Sequence, residues 1–169
     1  MTEIHEVFYE DLENIKNFDK LSSDNDIYIR SCIAQRENCP IHILEKLSDD
    51  ESFYVRNSVV RNKNCTLDIL FKLMSDESEV IRSNVAEHEK CTSYMLQILS
   101  EDKSEWVRRL IAMNKNCLPS ILDKLSQDES DEVRRKVAIN ENCYESTLNN
   151  LSDDILVKFC LVENKKCPY

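Results

Sequence analysis

The stretch "VRRKVAINENC" (133–143) decides the reading of this chain, because it recurs. Stepping back by 26 residues each time gives "VRRLIAMNKNC" (107–117), "IRSNVAEHEKC" (81–91), "VRNSVVRNKNC" (55–65) and "IRSCIAQRENC" (29–39). Leu21, Leu47, Leu73, Leu99, Leu125 and Leu151 keep the same step, as do Cys39, Cys65, Cys91, Cys117 and Cys143. A fixed period of this size is the mark of a solenoid. The units are 21–46, 47–72, 73–98, 99–124 and 125–150, with a partial sixth, 151–169, that is two residues short before Cys167. Residues 1–20 precede the array.

Each unit contains two helical patterns. In the first, apolar residues fall at i, i+4 and i+5, as in Val107, Ile111 and Ala112 or Val133, Val137 and Ala138, which makes one buried stripe. Asp76, Asp102 and Asp128 are placed to cap its free N–H groups, with Glu79, Glu105 and Asp131 three residues on as in a capping box. Asn62, Asn114, Asn140 and Asn164 stand at its end, where Asn suits a left-handed cap in a chain without glycine. The second pattern ("PIHILEKL", "LDILFKL", "SYMLQIL", "PSILDKL", "ESTLNNL") carries apolar residues at i, i+1 and i+4, as in Ile121, Leu122 and Leu125. About two turns long, it suits an α-helix held by its neighbours or a 3₁₀ segment. Pro40 and Pro119 lie at its start, where a missing N–H costs nothing. Period-two alternation is missing, so the expectation is all-α. Residues 1–20, with "YEDLENIKNFDKL" running into the array, read as an N-terminal capping helix in which Phe18 takes the place of Leu44 and Leu70.

The pattern V-R-x-x-V-A-x-N-x-x-C followed by L-x-x-L-S-x-D resembles the leucine-rich repeat variant family, a relative of HEAT-like repeats. The resemblance covers residues 21–167 in six copies. It implies a right-handed α-solenoid, here of about five and a half 26-residue two-helix repeats, with no strands. Family members can carry a cysteine-rich iron–sulfur segment before the repeats. Residues 1–20 hold no Cys, so no cofactor is carried over.

HEAT-like repeats use an Asp and an Arg six residues apart to tie units together. Asp24/Arg30, Asp50/Arg56, Asp76/Arg82, Asp102/Arg108 and Asp128/Arg134 keep that interval, while Asp154 is followed by Lys158 in a different spacing. Residues six apart on one helix do not face each other, so partners in adjacent units are expected, forming a structural ladder rather than an anion-binding row.

Composition narrows the function. The net charge is −10, with 22 basic against 32 acidic side chains, which disfavours nucleic acid and anionic membrane. The imbalance is concentrated in residues 1–98, at −8, against −2 over 99–169. Glycine is absent where roughly a dozen would be average, which excludes P-loops, dinucleotide fingerprints, nucleophile elbows and EF-hand loops. No secretory signal or membrane-length apolar run is visible, so a cytoplasmic protein is expected. The eight Cys contain no C-x-x-C pair, and the five in phase lie about 10 Å apart on stacked units, too far for disulfides. They read as small buried hydrophobes, with Cys32 and Cys160 outside the row and Cys160 a candidate exposed thiol. His5, His42 and His88 stand singly among ordinary polar positions, and neither catalytic residues nor a metal site is expected.

A solenoid's function lies in positions that vary between copies. Trp106, Leu110 and Met113 stand at i, i+4 and i+7 beside the core stripe, and Tyr28, Tyr54 and Val80 share the column of Trp106. With Arg109, Arg135 and Lys136 nearby, these residues form the expected partner-binding face, since aromatics with Arg make protein-binding hot spots. The expectation is a non-enzymatic protein–protein interaction scaffold or adaptor binding a partner on an extended helical face. Alternatives are a nucleic-acid-binding HEAT-like protein using Arg109, Arg135 and Lys136, or, by resemblance alone, an accessory module of a metalloenzyme pathway. The unfinished last unit is expected to leave Phe159, Leu161 and Val162 uncovered, to be met by Tyr169 or by a second copy as a homodimer, unless the chain is truncated there.

Overall fold

The computed structural model describes residues 17–167. Of the expected N-terminal helix, residues 1–16 lie outside the described residues, as do His5 and Tyr169. Twelve helices and no strand occur among the described residues. They are α1 (Phe18–Leu21), α2 (Ile27–Ala34), α3 (Ile41–Leu47), α4 (Phe53–Val60), α5 (Leu67–Leu73), α6 (Glu79–Glu87), α7 (Ser93–Leu99), α8 (Glu105–Met113), α9 (Pro119–Leu125), α10 (Asp131–Ile139), α11 (Glu145–Leu151) and α12 (Lys158–Leu161). The chain divides after Lys90 into two units. In the first, α2, α4 and α6 stack side by side, with α3 and α5 packed between consecutive members. In the second, α8, α10 and α12 stack likewise, with α9 packed between α8 and α10 and α11 packed on α10. This is the packing of a helical-repeat solenoid.

Short helices are marginal alone, so these form because stacking buries their stripes. Val55, Val59 and Val60 of α4 are buried against Ile43, Leu44 and Leu47 of α3, and Val107, Ile111 and Ala112 of α8 against Ile121, Leu122 and Leu125 of α9. The second helix of each repeat is α-helical throughout. Thr66 and Thr92 cap two of them by accepting from the Ile69 and Met95 N–H groups, and Pro119 opens α9.

The first helices start differently from the sequence expectation. Their N-caps are Asp26, Ser52, Ser78, Ser104 and Ser130, two residues after the aspartates expected to cap them. Asp50, Asp76, Asp102 and Asp128 instead accept from the backbone N–H two residues on, at 2.8–2.9 Å, closing a turn ahead of the helix. That geometry leaves the rest of the carboxylate free to face another repeat.

The helix ends differ too. No described residue has positive φ, so the expected left-handed Asn caps are absent. Asn114 and Asn140 are extended, with φ −67 and −74. The physical reason is that the Asn side chain is a bridge between repeats. Asn62 Nδ2 donates to the carbonyls of Ala34 (2.7 Å) and Arg36 (2.8 Å) at the end of the preceding first helix, while its Oδ1 accepts from the Asn64 N–H (2.8 Å). Asn140 and Asn164 repeat this on Ala112 and Asn114, and on Ala138 and Asn140. The helix-end carbonyls of Ala34, Ala112 and Ala138 are thereby satisfied by the next repeat rather than by a glycine turn, which explains how the chain dispenses with glycine.

His88 holds this Asn position in the third repeat. Its Nδ1 accepts from the Lys90 N–H (3.1 Å), as Asn62 Oδ1 does from Asn64. Burial lowers its pKa, as does Lys90, outweighing the upward pull of the Asn62 backbone and of Glu89. Because the folded pKa lies below the ordinary 6.5, the unfolded chain takes up the proton more readily. Stability contributed by neutral His88 is therefore present above pH 6.5 and is lost as pH falls below it. His88→Asn keeps the turn acceptor without titrating. Thermal melts at pH 7 and pH 5 are expected to show the variant gaining on wild type at the lower pH; an unchanged difference would refute this.

Candidate functional site

The framework that carries the site is an Arg–Asp relay. Arg30 Nε and Nη2 donate to Asp50 Oδ2 and Oδ1 at 2.6 and 2.9 Å, and Arg56 does the same to Asp76 at 2.7 and 3.1 Å. In the second unit Arg108 meets Asp128 at 2.7 and 2.9 Å, and Arg134 meets Asp154 at 2.6 Å. Each Arg reaches a carboxylate 20 residues on, in the next repeat. The six-residue interval is also a contact, through a different atom. Nη1 of Arg30, Arg56, Arg82, Arg108 and Arg134 donates to the backbone carbonyl of Asp24, Asp50, Asp76, Asp102 and Asp128, at 2.7–2.9 Å. This is possible because each Asp sits in the turn before the helix, not on it. Burial pushes the Asp50 and Asp128 carboxyls up, but Arg30 and Arg108, with the Ser52 and Ser130 amides, outweigh it and hold both below the ordinary range. The arginines are raised in turn by the same partners. These guanidinium groups are committed to the protein itself.

Four of the five periodic thiols are equally inward, Cys91 being partly exposed. All eight Cys are free of disulfides; Cys39, Cys65, Cys117 and Cys143 are buried, while Cys91, Cys32, Cys160 and Cys167 are partly exposed. Burial pushes Cys39, Cys65 and Cys117 up to about 12, and Cys91 and Cys143 to about 11. Each of Cys39, Cys65, Cys91 and Cys117 lies 3.8–3.9 Å from the carbonyl of the next residue, to which its S–H donates weakly. No cluster of three His, Cys, Asp or Glu able to hold a metal occurs among the described residues.

Each first helix also carries a stripe at i, i+3, i+4 and i+7 that varies between repeats; its end positions are mostly exposed, while Ser58 and Ser83 within it are buried. On α2 it reads Tyr28, Ser31, Cys32, Gln35; on α4 Tyr54, Asn57, Ser58, Arg61; on α6 Val80, Ser83, Asn84, Glu87. On α8 it reads Trp106, Arg109, Leu110, Met113, and on α10 Glu132, Arg135, Lys136, Ile139. The framework residues recur while these do not. In the first unit Tyr28 and Tyr54 are 71% and 64% exposed and hold the same register on neighbouring helices. Between them and the helix ends lies a groove of about 380 Å³ lined by Gln35, Asn57, Ser58, Arg61 and Asn62. Of these only Asn62 stands out in the sequence, as a helix end; the signal for Gln35, Asn57, Ser58 and Arg61 is their i+3, i+4 or i+7 spacing from a Tyr.

In the second unit Arg109 lies 4.0 Å over the ring of Trp106, which is 49% exposed, and Met113 is exposed beside them, with Leu110 half-buried. Arg135 is not available as a free cation. It pairs with Asp131 (3.0 Å) and Glu132 (2.8 Å) and donates to the Leu156 carbonyl (3.0 Å). Lys136 is half-buried on the same helix. In the shortened last repeat, Ile155, Leu156, Phe159 and Val162 are exposed, with Phe159 at 85%. Leu161, expected to be uncovered with them, is buried: it stands four residues after buried Val157, on the stripe that packs against α10.

Repeating helix pairs, a shared buried framework and one variable outward stripe define a helical-repeat protein of the solenoid class. Among solved structures the chain is similar to a leucine-rich repeat variant with a novel repetitive protein structural motif, at a TM-score of 0.75 and 27% identity, covering 89% of this chain. The resemblance carried by the repeat motif is thus met in three dimensions. The chain spans 61% of the length of that structure. No family model matches the chain, and no curated protein matches it. No helix among the described residues is long and apolar enough to cross a membrane.

Proposed function

We propose that this protein is a non-enzymatic interaction scaffold that binds a protein partner along the outward stripes of its first helices. One observation carries the reading: the Asp, Arg, Asn and Cys positions recur from repeat to repeat, whereas the stripe that holds Tyr28 and Tyr54 in the first unit and Trp106, Arg109, Leu110 and Met113 in the second varies. A framework needs the first set; only a ligand needs the second. The exposed Trp106 with its stacked Arg109 is the natural anchor, because aromatic and Arg side chains dominate interface energies. A face built on short braced helices binds with little ordering cost. The periodic thiols, raised by burial to about 11–12, and the turn aspartates, bound to their arginines, are spent on structure. Eight unpaired cysteines suit a reducing compartment, and we place the protein in the cytoplasm. Co-purification from native extract tests the reading. Wild type is expected to retain a partner that Trp106→Ala loses while melting at the wild-type temperature; equal retention by the variant removes the stripe as the binding face.

A further inference from the structure

The groove between α2 and α4 has a hydrogen-bonding inventory that does not close. Gln35 Nε2 donates to Ser58 Oγ (3.0 Å) and Ser31 Oγ (3.3 Å), Ser31 and Ser58 share a 2.7 Å bond, and Ser58 Oγ donates to the Tyr54 carbonyl (3.0 Å). Asn57 Oδ1 accepts from Asn84 Nδ2 (2.6 Å), and Asn62 is spent on Ala34 and Arg36. Three polar groups lining the groove have no hydrogen-bond partner among the described residues: the Asn57 amide N–H₂, the Gln35 carbonyl oxygen and the Arg61 guanidinium. Arg61 is the telling one. Arg30 and Arg56, its neighbours on the same helices, are both locked to aspartates, whereas Arg61 is exposed and forms no ion pair among the described residues. Its place at the C-cap of α4 suits the helix dipole, yet the same column holds Gln35, Glu87, Met113 and Ile139 in the other repeats. A role shared by all repeats therefore does not account for an arginine there.

We propose that this groove binds an extended peptide segment of a protein partner and takes an Asp or Glu side chain from it. The planar fork of Arg61 matches a carboxylate, and the Asn57 amide adds a donor from the same helix. The Gln35 carbonyl oxygen accepts a main-chain N–H of the peptide. An extended segment supplies that N–H free, whereas a helix has already used its own. Tyr54, one turn before Ser58, and Tyr28, two turns before Gln35, add exposed aromatic surface on the same helices for the side chains beside the acid. Its volume lies within the range of pockets that hold small ligands, roughly 300–1,000 Å³. The net charge of −8 over residues 1–98 selects against a polyanion, so the acid is taken through its local contact with Arg61.

This assignment rests on the interaction reading above, and its test is separable from it. The full chain, isotope-labelled, is titrated with N-acetylated, C-amidated Ala-Glu-Leu-Ala and with Ala-Gln-Leu-Ala, while the side-chain amide signals of Asn57 and Gln35 are followed. The Glu peptide is expected to shift both signals saturably in the millimolar range. Affinity should fall about tenfold or more for the Gln peptide and for Arg61→Ala, the scale of one charged hydrogen-bonded contact. Arg61→Lys should keep part of it. Arg61 is exposed, so the variant folds, and its backbone spectrum verifies this. No saturable shift, equal binding of the two peptides, undiminished binding by Arg61→Ala, or binding only when phosphoserine replaces Glu would each overturn the proposal. If the peptide fails while wild type still retains a partner that Trp106→Ala loses, the groove assignment falls and the interaction reading stands.

Discussion

Arg56→Ala is expected to destabilise the protein by about 3–5 kcal/mol, the cost of removing one partner from a buried ion pair. The Arg56 and Asp76 side chains are 10% and 7% exposed. Removing Arg56 leaves the Asp76 carboxylate with its Ser78 turn bond but without its counter-charge, and it strands the Asp50 and Glu51 carbonyls that Nη1 holds at 2.8 and 3.0 Å. Urea unfolding measures the loss, and a cycle with Asp76→Ala isolates the pair. Because the carboxylate is what is left stranded, the double variant should be less destabilised than the two single losses added together. Strict additivity would mean that the two side chains do not depend on each other. Repeats couple mainly to their neighbours, so the damage should appear first as faster amide exchange around α4 and α5.

Asn140 carries the second large effect, and here the direction of substitution separates mechanisms. The side chain is 8% exposed in its residue, donates to Ala112 (2.7 Å) and Asn114 (3.2 Å), and accepts from the Asn142 N–H (2.9 Å). Asn140→Ala takes the side-chain partner from the Ala112 carbonyl and the Asn142 N–H, at about 1–3 kcal/mol for each that stays buried, while the Asn114 carbonyl keeps the Cys117 N–H. Asn140→Asp is nearly isosteric and keeps the acceptor for Asn142, so a purely steric account predicts that it is milder. It sets a carboxylate against two carbonyl oxygens instead, and the expectation is that Asp is worse than Ala at pH 7 and recovers as the acid is protonated. A variant order of Ala worse than Asp at neutral pH would show that turn closure, not carbonyl satisfaction, is what Asn140 contributes.

Both predictions concern positions whose importance is visible as recurrence and whose mechanism is not. The 26-residue period, the i, i+4, i+5 stripe and the lack of alternation by themselves determined that the chain forms pairs of short helices stacked on one another, because no single copy can bury its own apolar face. The same pattern put Phe18, the valines and the periodic cysteines inside. Local spacing could not reveal which partner each polar side chain takes, since that partner belongs to another repeat. Asp50 looks like a helix cap from its neighbours alone; only the stacked structure shows its carboxylate closing a turn and receiving Arg30. Asn140 looks like a left-handed terminus; only the preceding repeat, delivering the Ala112 and Asn114 carbonyls at 2.7 and 3.2 Å, makes it an extended bridge. Leu161 reads as uncovered until α10 is seen beside it. The groove was the least legible of all, because Gln35 and Arg61 stand 26 residues apart and converge only when α2 and α4 lie side by side. Hydrophobic period is a property of one segment and survives in the sequence, whereas hydrogen-bond partnership and cavity shape are properties of two segments and exist only once they meet.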